Sequence, residues 1–109
     1  MTDCVIAGRI ATGEFSPTGL KVAGLVTIVT IDSTTWTPLP ATALSGRNAM
    51  CIINTGGVEI KLNYSSSIVG YVGVPLAAGN QRFYDITENM VVYCKASAGS
   101  FSITIEELS

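Results

Sequence analysis

Histidine is absent from this 109-residue chain. Its absence removes the imidazole base that most serine and cysteine nucleophiles rely on, and the commonest nitrogen ligand for metals. Charge is scarce as well. Asp, Glu, Lys and Arg together make up 13% of the residues, against about 25% in an average soluble domain. Six Lys and Arg face eight Asp and Glu, for a net charge of −2. A disordered chain needs high charge and low hydrophobicity, and a polybasic nucleic-acid binder needs a cationic excess; both are excluded. No apolar run is long enough to span a membrane. The richest window, residues 22–31, lies between Lys21 and Asp32 and contains Thr27 and Thr30, whereas a spanning helix needs about 20 residues. The first residues also lack the basic start and apolar core of a signal peptide, because Asp3, Gly8 and Arg9 interrupt them. The expectation is a soluble chain made and kept in the cytoplasm.

Cysteine is sparse and badly spaced for metal chemistry. Cys4, Cys51 and Cys94 form an odd set with no CxxC pair, and zinc sites want four ligands at short paired spacings. They read as three small buried apolar residues. A Cys51–Cys94 bridge of the immunoglobulin kind is disfavoured, because that fold sets its buried tryptophan between the cysteines and Trp36 precedes both.

What the chain does contain is apolar side chains, at 48%, with a mean hydropathy of +0.46. With a membrane segment set aside, the oily excess is assigned to surface hidden between subunits. Alternation with period two dominates from residue 48 onward. Glu59–Tyr64 and Phe101–Glu106 each place every second side chain on an apolar face, as strands with one face on a core do. Ala49–Ile53, Met90–Tyr93 and Val22–Ile31 are continuous and read as strands covered on both sides. Arg82–Ile86 is a shorter, weaker strand. Asn54-Thr55-Gly56-Gly57 reads as a hairpin turn with glycine at positive φ, Asn54 bonding its own backbone. Ala78-Gly79-Asn80 and Ala98-Gly99 read as two more turns. Pro38 and Pro40 suggest an extended link, and Pro75 an edge or loop. No stretch shows helical spacing with caps at both ends. The pattern predicts an all-β antiparallel sandwich, jelly-roll or Ig-like, of about seven or eight short strands. Residues 41–109 form its core. Residues 1–40, with Thr2–Ala11 as a first strand or arm and a loop through Leu20, belong to the same domain or reach a neighbour.

Reactive constellations are hard to find. Ser65-Ser66-Ser67 reads as a polar loop and Asp85 with Glu88 as turn chemistry. Glu106 with Glu107 reads as solvated charge at the chain end. No phosphate-cradling glycine motif is present, and no cofactor or metal site is expected. Arg47 either bridges carbonyls or a carboxylate across the fold or is a solvated strand-end charge. Tyr64, Tyr93 and Phe101 read as core. Trp36 and Tyr71 lie in turn-like stretches where they are candidates for exposed, glycan- or receptor-contacting aromatics. The expectation is a protein without enzymatic activity.

From Ser45 onward the order of elements carries a resemblance. Ser45-Gly46-Arg47-Asn48-Ala49 leads into an apolar strand ending at Asn54, followed by Glu59-Ile60-Lys61-Leu62. Then come Gly73-Val74-Pro75-Leu76-Ala77-Ala78-Gly79, Phe83-Tyr84-Asp85-Ile86, Val91-Val92-Tyr93-Cys94-Lys95-Ala96 and the strand to Glu106-Glu107-Leu108. This resembles the small β-sandwich proteins and domains of tailed-bacteriophage particles, which occur as capsid decoration (cement) proteins and as neck or tail accessories. The resemblance implies a virion structural protein assembled in the host cytoplasm. Its partners would be the major capsid protein or other virion proteins and further copies of itself, as trimers at three-fold positions. Nucleic acid and membrane are not expected partners. Trp36, Tyr71 and Pro75 are the candidate interaction residues. A neck or head–tail connector role and a receptor- or glycan-binding module are the alternatives.

Overall fold

The alternating stretches of the sequence become eight strands, all paired antiparallel, in a computed structural model that describes residues 21–109. In chain order these are β1 (Gly24–Asp32), β2 (Thr37–Pro38), β3 (Ala49–Ile53), β4 (Ile60–Asn63), β5 (Val74–Leu76), β6 (Gln81–Tyr84), β7 (Tyr93–Ala96) and β8 (Ser100–Leu108). One sheet has the order β1-β8-β3-β6 and the other β2-β7-β4-β5. Consecutive strands mostly change sheets, and the last strand lies between the first and third. That order is the jelly roll, so of the two expected sandwiches the Ig-like one is set aside. The proposed arm and Cys4 lie outside the described residues.

The core forms where the two inner faces meet. Ile31, Met50, Ile52, Tyr84, Ile103 and Ile105 come from the first sheet, and Ile60, Leu62, Leu76, Cys94 and Ala96 from the second. Leu39 and Val92 close it beside β2, where the Leu39 amide donates to the Val92 carbonyl at 2.9 Å. The short edge strands are consistent with their prolines. Pro38 sits in two-residue β2, and Pro75 in β5, opposite Lys61. Both strands are at sheet edges, where a residue without an amide donor is tolerated.

Several expectations are corrected. Asn54–Gly57 does not close a hairpin, because β3 and β4 belong to different sheets. Asn54 does bond its own backbone, with its Oδ1 accepting from the Gly56 amide at 3.1 Å. Its Nδ2 also reaches the Val58 and Leu76 carbonyls, which carries the chain from one sheet to the other. Gly56 is required by close approach rather than by positive φ, since a Cβ there would run into the Phe101 ring. Strand β7 starts at Tyr93, and Met90 and Val91 are exposed. Tyr64 is exposed rather than core. Strand β1 is not covered on both sides, as detailed below.

The Glu107 carboxylate is the largest correction. Glu107 is not solvated but fully buried, and Arg47 beside it is 3% exposed. The Arg47 guanidinium donates to Glu107 Oε2 at 2.9 Å, to the Thr87 carbonyl at 2.8 Å and to the Met90 carbonyl at 2.5 Å. Glu107 Oε2 also accepts from the Leu44 amide at 3.0 Å. Arg47 thus takes the bridging role of its two readings. It gathers β8 and the β2–β3 and β6–β7 connections at one end of the sandwich.

Cys94 is a free, buried thiol, so the Cys51–Cys94 bridge is absent. Cys51 is disulfide-bonded and is therefore not the free apolar thiol expected. Burial pushes the Cys94 thiol up to about 12 from its ordinary 9.0.

Two outcomes are expected. Replacing Glu107 by Ala strands the Arg47 charge and should cost about 3–5 kcal/mol in urea unfolding, whereas Arg47→Met with Glu107→Leu should recover most of that loss. Between pH 9 and about 12 the unfolded chain releases the Cys94 proton and the folded chain keeps it. Stability should therefore fall as pH rises through that window, and Cys94→Ala should make the fall shallower in thermal melts.

Candidate functional site

Period-two geometry sends Lys61 and Asn63 of β4, Tyr93 and Lys95 of β7 and Pro75 of β5 to the outer face of the second sheet. Trp36, just before β2, joins them. In this register Lys61 stands directly opposite Lys95, an arrangement that repels. Each ammonium group lies over an aromatic ring. Lys61 Nζ lies 4.6 Å from the centre of the Tyr71 ring and Lys95 Nζ lies 5.4 Å from that of Trp36. Such contacts are worth about 0.5–1 kcal/mol at exposed sites.

The rings and cations together hold down the connection from Tyr64 to Gly73. Trp36 Nε1 donates to the Ile68 carbonyl at 2.9 Å, Lys95 Nζ to the Gly70 carbonyl at 3.3 Å and Asn63 Nδ2 to the Val72 carbonyl at 2.7 Å. At Gly73 a Cβ would collide with the Leu62 carbonyl, so only glycine lets the chain return so close to β4. Val69 at the tip and Val72 remain open to solvent. Ser65 and Ser67 bond each other at 2.9 Å and turn the loop, the polar role expected of them.

All three candidate residues from the sequence therefore meet this face, with one correction. Trp36 is 5% exposed and serves as a pillar under the loop rather than as a platform for a ligand. Tyr71 is half-buried, and its hydroxyl donates to Glu59, with Oε1 at 3.0 Å and the carbonyl oxygen at 3.2 Å. Burial pushes its phenol up to about 12, with further help from the hydrogen bond to Glu59 and its charge. Pro75 is exposed. The face is strapped by these hydrogen bonds; among the described residues no three His, Cys, Asp or Glu side chains converge as metal ligands.

A second surface was missed by the sequence reading. On β1, Val26 is 61% and Ile28 62% exposed on the outer face, and Leu25 is 45% exposed on the other. The sequence read this run as covered on both faces because it is continuous and β-branched. The signal that distinguishes it is Gly24, Thr27 and Thr30, which dilute the pattern of a true interior strand.

Replacing Glu59 by Gln removes the charge beside the Tyr71 phenol. The ultraviolet tyrosinate signal that Tyr71→Phe abolishes should then move from about pH 12 toward the ordinary value of 10.0. No protein-family model matches the chain, and no curated protein sequence matches it.

Proposed function

We propose that this chain is a non-enzymatic structural protein of a tailed-phage particle, and that it acts as a decoration protein on the head surface. The observation that carries the reading is the apolar outer side of β1, a row of uncharged side chains exposed along a sheet edge. An apolar patch on a small soluble domain marks a contact surface. This one costs little to bury, since no charge from Val22 to Ile31 has to be desolvated. The order of motifs from Ser45 to the C-terminus supports the particle setting. The mechanism is passive: each copy covers a seam between capsid subunits, and repeated contacts around a closed shell raise the hold of each one.

A neck or tail accessory role uses the same surfaces in a ring. The glycan- or receptor-binding alternative has less to stand on, since Trp36 is buried beneath the Tyr64–Gly73 loop. Mass spectrometry of purified particles of the phage that encodes this protein separates these readings. Decoration predicts hundreds of copies per particle, and a neck ring predicts roughly six or twelve. Absence of the chain from the particle would end the virion reading.

A further inference from the structure

Three of the four sheet edges are protected against pairing with another chain. Strand β2 is two residues long and contains Pro38, β5 is three residues long and contains Pro75, and β6 carries Arg82. Short length, proline and charge are the devices that guard an edge. Strand β1 has none of them. It is nine residues long, pairs with β8 in an unbroken register from Gly24 to Asp32, and contains no proline and no charge before Asp32. Among the described residues its other edge pairs with nothing.

Its sequence is also complementary to itself. Laid antiparallel to a second β1 with Thr27 opposite Thr27, it pairs Val26 with Ile28, Leu25 with Val29 and Gly24 with Thr30. Apolar side chains then meet apolar ones on both faces, and the hydroxyls meet at the centre, which are the favourable cross-strand combinations. Sliding by one step to put Ile28 opposite Ile28 sets Val26 against Thr30 and Thr27 against Val29, mixing the two classes.

We propose that two copies of this chain join through β1 about a twofold axis, with Thr27 facing Thr27. The result is one continuous eight-stranded sheet in the order β6-β3-β8-β1-β1-β8-β3-β6. The inference rests on the reading of β1 as an assembly surface and names its occupant as a second copy. The contact is isologous, so it closes on itself and leaves threefold contacts to other surfaces.

The test uses the full 109-residue chain. Sedimentation should show a dimer at high micromolar concentration, and Ile28→Lys should weaken it at least about tenfold with an unchanged circular dichroism spectrum and, at concentrations where both chains are monomeric, an unchanged melting temperature. In a Cys94→Ala background, Thr27→Cys should oxidise to a covalent dimer, because facing residues in an antiparallel pair stand within disulfide reach. Leu25→Cys, which faces Val29, should not. A dimer indifferent to Ile28→Lys, or one that cross-links through residue 25 and not 27, would overturn the proposal. A wild-type monomer that still joins phage particles would overturn the twofold contact alone. A monomer that ignores particles would remove the assembly reading as well.

Discussion

The buried contact between Arg47 and Glu107 is the constraint on which one end of this jelly roll depends. Two side chains with almost no access to water are held at 2.9 Å, and desolvating them costs several kcal/mol per charge. Their attraction offsets this only in part, since Arg47 Nε and Glu107 Oε1 are left without hydrogen-bond partners. The guanidinium recovers more through the carbonyls of Thr87 and Met90. The cluster therefore does more to select an arrangement than to add net stability. Its donors fix where the β2–β3 and β6–β7 connections cross, and Glu88 reinforces them by accepting from the Gly46 amide at 2.5 Å.

A similar economy of polar groups operates on the outer face of the second sheet. Lys61 and Lys95 would repel if left alone, yet each is turned toward an aromatic ring and a loop carbonyl. Part of the chain's few charges thus goes into holding a loop and two connections. The β1 edge, by contrast, carries no charge before Asp32.

Much of the architecture is visible in the sequence, and the parts that are not share a cause. Alternation in Glu59–Tyr64 and Phe101–Glu106 identifies β4 and β8 because it reports which face a side chain takes. It says nothing about which strand lies alongside, so the short glycine-rich stretch after Asn54 reads as a hairpin when it is a crossing between sheets. Continuous apolar runs are ambiguous in the same way. Ala49–Ile53 and Val22–Ile31 look alike, but one is sealed at the centre of its sheet and the other lies open at the edge. Glu107 reads as solvated because its partner is sixty positions earlier in the chain. For Arg47 a bridge and a solvated charge are equally consistent with the sequence, and only the fold supplies the carboxylate. Trp36 was misjudged for the complementary reason: its turn-like setting is real, but the loop that roofs it comes from residues 64–73.

The position of β8 also shapes how the molecule comes into being. It is the last made of the described strands, yet it lies between β1 and β3 and supplies hydrogen bonds to both. Until it leaves the ribosome, the first sheet lacks its middle, and the nascent β1 lacks the one strand it pairs with among the described residues. Folding must wait for translation to run past Leu108 and then close loops that span most of the sequence, a slow topology. During that interval the apolar side chains of β1 lack the neighbour that orders them into a sheet.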